Sequence, residues 1–372
     1  MKHLFSLIPC LLASALVADQ VEPSKSTYQE IKPIAEQCAP EACKTEGISY
    51  GFFGEFLYLQ PNGSNFYYAV QADGLDENIT VPAANANWKA IEIDPSYHCG
   101  FEIGANVRLI KSNVNMMANW ERLHGHDTDS YKTSSAAGFM VGPIFDIGPN
   151  SAAYKLAKGK ISSHFDEVNL VFGKQLCFFN NFHTQFYAGA SFARIKQTLG
   201  SKYSNSATSI TRSVGTFSKF TGAGPQVGLD YGYRIFNHLF FSGNTALSLI
   251  MGQMKNGTTF KSTTPELAAL DIPEPNTQTT KVPSRSQLVP GFEQKIGFSY
   301  LPTWKCIQGL IEIGYRCQIY VNAVQTFDMT APQVLPAGTP VTPDVGVFAV
   351  GFERTISNFM LSGLYATLGI EF

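Results

Sequence analysis

The end of the chain constrains the fold more than any other stretch. Residues 362–372 read S-G-L-Y-A-T-L-G-I-E-F. Leu364, Ala366, Leu368, Ile370 and Phe372 share one face at period two, and Gly363, Tyr365, Thr367, Gly369 and Glu371 share the other. Alternation over about ten residues fits a strand with one face in hydrocarbon and one toward a wetter interior. A soluble antiparallel sheet can end in the same way, so the rest of the chain must decide.

Composition favours the membrane. Charged residues are 15% and aromatics 13% of the 372 residues, whereas a soluble domain carries about 25% charge. No uncharged apolar run long enough for a spanning helix follows the first twenty or so residues. A net charge of −2, with no basic patch or stripe standing out in the sequence, argues against a nucleic-acid partner.

Lys2 and His3 precede an apolar segment at 4–17 and then Ala18-Asp19. This is the pattern of a secretory signal peptide, expected at 1–18. Residues 19–48 carry Pro23, Pro33 and Pro40 without apolar periodicity and are expected to form a periplasmic arm. The barrel is expected to fill 49–372. Six cysteines follow the signal: Cys38, Cys43, Cys99, Cys177, Cys306 and Cys317. An exported chain with an even count permits disulfides, within the chain or to other envelope proteins.

Alternating segments recur along the chain. Tyr50, Phe52, Phe56 and Tyr58 oppose Glu55; Phe101, Ile103, Val107 and Leu109 oppose Glu102 and Arg108; Val114, Met116 and Trp120 oppose Asn115, Asn119 and Glu121. Hairpins are expected at 166–177 with 182–195, at 216–235 with 239–252, and at 287–301 with 306–321. Glycines at 222, 224, 228 and 232 miss the dinucleotide-binding spacing, and no helix follows them. Short links at 111–113, 178–181, 236–238 and 302–305 alternate with long ones at 60–96, 124–160, 196–215, 257–285 and 322–360. Short periplasmic turns and long external loops give this asymmetry in outer-membrane barrels. The expected fold is therefore all-β: a transmembrane antiparallel up-and-down barrel of at least ten strands, in even number.

With the apolar faces on lipid, the opposite faces place Glu55, Glu102, Arg108, Glu121, Glu167, Asp230, Arg234, Glu293, Lys295, Glu312, Arg316 and Glu371 in the lumen. Ionisable groups at that depth need water or partners. They line a wet pore, or they neutralise each other in a packed interior. An acidic excess in an open pore would favour cations. The sharpest chemical cluster is His124-Gly-His126-Asp127-Thr-Asp129, whose side chains could hold a divalent ion or activate water at the external rim. A hydrated loop tip gives the same sequence, so no residue is assigned to catalysis, a cofactor or a metal.

The stretch Asp166-Glu-Val-Asn-Leu-Val-Phe-Gly-Lys, followed by Phe186-Tyr-Ala-Gly-Ala-Ser-Phe-Ala-Arg-Ile-Lys, resembles the major outer membrane protein family of Legionella and some chlamydia-like bacteria. So do Thr221-Gly-Ala-Gly-Pro-Gln-Val-Gly-Leu, Gly243-Asn-Thr-Ala-Leu-Ser-Leu-Ile-Met-Gly and the stretch from Leu361 to the end. The resemblance runs from about residue 50 onward and implies an abundant outer-membrane barrel with porin-like, surface-exposed roles. The terminal Phe372 also resembles the closing aromatic of bacterial outer-membrane barrels. The leading expectation is a passive channel for small hydrophilic solutes, seated in outer-membrane lipid. The alternatives are a rim hydrolase on the 124–160 loop and a structural or adhesive surface protein with a closed lumen.

Overall fold

Extended chain must pair its backbone N–H and C=O groups, and in hydrocarbon only a closed ring leaves no strand edge unpaired. The computed structural model describes residues 47–63, 66–72, 88–133, 139–141, 154–179, 181–205, 210–263, 276–304, 307–330 and 351–372. Its strands are β1 (Ile48–Asn62), β2 (Tyr67–Ala72), β3 (Trp88–Glu92), β4 (His98–Leu109), β5 (Val114–Lys132), β6 (Phe139–Val141) and β7 (Leu156–Phe179). There follow β8 (Phe182–Asn205), β9 (Ile210–Arg234), β10 (Leu239–Thr263), β11 (Asn276–Tyr300), β12 (Thr303–Trp304), β13 (Ile307–Thr330) and β14 (Gly351–Glu371). The expected signal peptide and nearly all of the arm lie outside the described residues.

The ring runs β1, β4, β5, β7, β8, β9, β10, β11, β13 and β14, each antiparallel to the next, with β14 returning to β1. It is the up-and-down barrel with an even strand number, and among the described residues that number is ten. β12 is a stub on β13. The links at one end are tight. A single 3-10 turn at Ile110–Ser112 joins β4 to β5, and Asn113 follows it at φ 52°, a left-handed conformation that asparagine tolerates. Between β9 and β10 the Ile235 N–H donates to the Leu239 carbonyl at 2.9 Å.

The faces fall as the alternation requires. Phe52, Phe56, Ile103, Leu247, Leu364 and Leu368 are exposed on the outside, whereas Glu55, Glu102, Glu121 and Thr367 are buried within. The strands are longer than the sequence indicates. β7 to β11 have 24 or 25 residues each, although about 9–11 cross a membrane. Much of what reads as loop at 124–160, 196–215, 257–285 and 322–360 is wall standing beyond the apolar band. There the outer face turns from apolar to Lys, Ser and Thr, so the period-two signal fades while the ladder of hydrogen bonds continues.

A second sheet, ordered β3-β2-β6, comes from the first and second long connections. It packs inside the outer half of the ring: Phe66, Tyr68, Ala69 and Ile93 bury against Ala157, Ile161 and Tyr203 of the wall. The Tyr203 hydroxyl donates to the Tyr68 carbonyl, and the Tyr68 hydroxyl donates to Asp129 Oδ2 at 3.0 Å. Burial first, and then that carboxylate, hold the Tyr68 hydroxyl above its ordinary pKa.

Candidate functional site

The lumen is the concave, chemically distinct region of the molecule, and it is layered. At mid-barrel, Glu55 on β1, Glu102 on β4 and Glu121 on β5 stand in one hydrogen-bonded row, because Glu55 pairs with Glu102 and Glu102 with Glu121. Three acids side by side repel one another. Two cations from β11 and β13, on the other side of the intervening β14, answer them. Lys295 Nζ on β11 lies 3.0 Å from both Glu55 Oε1 and Glu102 Oε2. Arg316 on β13 reaches Glu55 at 3.3 Å, Glu102 at 3.0 Å, Glu121 at 2.5 Å and Glu293 at 3.0 Å. Arg316 is 1% exposed. The Thr367 hydroxyl donates to Glu55 Oε2 at 2.9 Å, and Asn119 donates to Glu102.

The other expected lumen residues lie around this knot. Glu167 accepts hydrogen bonds from Ser191 at 2.7 Å and from Gln318 at 2.9 Å. Asp230 accepts from Asn244, and Glu312 accepts from the Tyr365 hydroxyl. Nearer the tight-turn end, Arg108 pairs with Glu371 at 3.3 Å. Arg234 is exposed at that end, its guanidinium 5.5 Å from the Phe240 ring centroid. Below the knot, a cavity of about 850 Å³ is lined by Asn106, Arg108, Asn115, Gln185, Asp230 and Lys295 among others.

Above the knot the interior is apolar, and sequence reasoning missed this. Leu57, Leu59, Leu123, Phe165, Ile195 and Phe220 meet Ile250, Val289, Tyr320, Phe359 and Leu361 in one buried cluster across the lumen. Phe165 lies with ring centroids 5.5 Å from Tyr320 and 5.9 Å from Phe359. The available signal was a run without alternation, Phe56-Leu-Tyr-Leu59, which marks a strand buried on both faces.

The histidine–aspartate cluster does not converge. It lies on β5 itself, where alternation sends His124 and His126 outward and Asp127 and Asp129 inward. His124 packs edge-on to His164 with centroids 4.2 Å apart. Asp127 Oδ2 instead lies 2.7 Å from His98 Nε2, and its other oxygen accepts from the Ser96 N–H at 3.0 Å. Among the described residues no group of three or more His, Cys, Asp or Glu is placed to hold a metal ion. No disulfide joins Cys99, which is exposed, to Cys317, which is buried. The side chains of the other four cysteines lie outside the described residues.

The similarities to solved structures are remote. Escherichia coli outer membrane protease OmpT is 10% identical, with 88% of this chain and 99% of that one covered at a TM-score of 0.41. A deltaS2S3 mutant of the monoaromatic hydrocarbon channel TodX is 7% identical, with 91% and 92% covered at 0.30. A Pseudomonas aeruginosa FadL homologue is 7% identical, with 87% and 90% covered at 0.23. At these scores the likenesses carry no argument about activity. No curated protein matches the sequence. Residues 42–372 match the family described as Legionella pneumophila major outer membrane protein precursor. That match takes in every strand of the ring, so the chain belongs to the Legionella major outer membrane protein family, and its place is the bacterial outer membrane.

Proposed function

We propose that the protein is a channel for small hydrophilic solutes whose passage is shut in the conformation described, rather than a permanently open pore. One observation carries this reading: a network of ionisable side chains sits at mid-barrel, at the depth where the outer face is apolar, and a cavity leads to it from the periplasmic end. Replacing a buried ion network by apolar packing of similar volume is often neutral or stabilising by about 1–4 kcal/mol. A barrel that had only to be solid would not need such a network. Asn119 Oδ1, Asn169 Oδ1, Glu121 Oε1 and Gln318 Oε1 are buried around it without a protein partner, and ordered water belongs at such atoms. Acids outnumber bases there, so an opened path would favour cations. The apolar layer above supports a second reading, a structural or adhesive barrel that never conducts. Against a rim hydrolase stands the strand alternation that parts His124 and His126 from Asp127. Links to other envelope proteins through cysteines are a further part of the proposal, resting on their count alone.

Planar bilayers test the choice. The parent chain should show small, infrequent openings. Phe165→Ala with Phe359→Ala should raise the conducting fraction by tenfold or more, because both rings close the lumen. Silence in both, with normal folding, would leave the structural reading. Ester or peptide hydrolysis that His98→Ala abolishes would establish an enzyme instead.

A further inference from the structure

The outer wall beyond the apolar band carries an unbalanced basic face. Residues 182–229 and 239–263, which supply β8, nearly all of β9 and β10, contain no Asp or Glu. The last strongly exposed apolar side chains on this face are Phe192 on β8 and Met251 on β10. Four residues further from the membrane, about 13 Å along each strand, stand Lys196 and Lys255. Register places Lys196 opposite Lys219, and Lys219 opposite Lys255. Three ammonium groups therefore lie side by side across three strands, an arrangement that opposes sheet formation unless something anionic joins it. Among the described residues none of the three pairs with a carboxylate. The nearest acid in register, Asp166, faces Arg194 and lies 3.6 Å from Arg122.

Four residues beyond that row the wall opens into a groove of about 790 Å³. Gly200 pairs with Gly215 to make its floor. A side chain at Gly215 would meet nothing within 4 Å, and one at Gly200 only the Lys160 carbonyl at 3.9 Å. Lys158, Lys160, Lys202 and Lys261 flank the floor, with Ser130, Ser213 and Thr259 between them, and one carboxylate, Asp129, stands at the margin, where it accepts the Tyr68 hydroxyl from the lumen side. Lys158 and Lys202 are themselves directly opposed. The bare floor, polar hydroxyls and bordering cations suit a sugar that bears phosphate.

We propose that this face of β7–β10 binds the phosphorylated glycolipid of the outer leaflet. Its acyl chains lie along the apolar band, its phosphates sit on the row Lys196–Lys219–Lys255, and its sugars occupy the groove above. The depth argues for a lipid rather than a soluble anion, because the row begins where hydrocarbon contact ends. Lysine is suited to that boundary, since its stem packs on apolar surface while its ammonium reaches the headgroup.

The test uses the full chain, purified in non-ionic detergent and stripped of lipid, with bis-phosphorylated lipid A as the probe and bound lipid read by native mass spectrometry. Parent protein should bind the probe in a salt-sensitive manner and bind its dephosphorylated form at least tenfold more weakly. Lys196→Gln with Lys219→Gln and Lys255→Gln should lose tenfold or more for the phosphorylated form only. Gly215→Leu, which fills the groove and leaves the charges, should also weaken binding. Heat-modifiable migration on gels checks folding, and if the triple variant fails it, Lys219→Gln alone should still weaken binding about threefold. Equal affinity of parent and variants overturns the proposal. So does equal affinity for phosphatidylglycerol, which would make the face a general anionic-lipid surface, or displacement by inorganic phosphate at comparable concentration.

Discussion

Arg316 holds the interior together, since its guanidinium touches four carboxylates and its side chain is sealed from solvent. Truncating one partner of a buried ion network costs about 3–5 kcal/mol, because the charges left behind stay desolvated. Arg316→Met should therefore lower unfolding stability in detergent by that order, and adding Glu121→Gln should restore part of it. A loss below about 1 kcal/mol, measured by urea titration, would show that water reaches the knot and already screens it. The individual charges were legible in the sequence, because an ionisable residue at every second position of an apolar strand has only the lumen to face. Their meeting was not legible. Lys295 and Glu55 are 240 positions apart, and nothing local records that they touch. The apolar layer hid for a different reason: Leu57 and Leu59 point inward between aromatics that point to lipid, so both faces read alike.

At the scale of the strand, β10 crosses two solvents. Leu247 is exposed on the band, whereas Thr259, further along the same strand, lies beyond it and near the Thr279 hydroxyl at 3.4 Å. Leu247→Arg should cost about 2–4 kcal/mol in folding into bilayers, the price of an arginine near the midplane. Thr259→Arg should change stability by under about 0.5 kcal/mol, as exposed substitutions do. Folding titrations in lipid vesicles separate the two. Equal penalties would mean that the membrane extends over the whole strand and that the basic face is misplaced. This change of solvent also explains which boundaries the sequence revealed. Tight turns at 111–113 and 236–238 interrupt alternation abruptly and were placed to within a residue or two. The far ends of β7 to β11 were not, because a wall with water on both sides needs no apolar face, and its Ser, Thr and Gly read as loop.

For the whole molecule, ring closure was readable from parity: a chain that starts and ends on the same side of the membrane crosses it an even number of times. The seam bears this out, with Phe372 N–H donating to the Tyr50 carbonyl at 3.0 Å, Tyr50 N–H returning to Phe372 at 2.9 Å, and the Phe372 ring 6.2 Å from that of Phe52. A chain ending at Glu371 loses both bonds and should assemble in lower yield, read by the folded band on gels of outer-membrane fractions. Beyond the run Phe56-Leu-Tyr-Leu59, the sequence does not disclose that the lumen is filled at two heights. The β2–β3 hairpin lies in the outer mouth, and the apolar layer with the ion knot lies deeper, within the membrane. If the deeper fill is the seal, removing the mouth insert should not open the barrel. A chain in which residues 64–94 are replaced by a short Gly-Ser link keeps β1 and β4 paired through Leu59 and His98, so the ring can still close. It should fold and conduct as rarely as the parent, while the Phe165→Ala and Phe359→Ala change should raise conduction in either background by the same factor. A large conductance from the insert deletion alone would place the barrier at the mouth and make the charged centre part of an already open path.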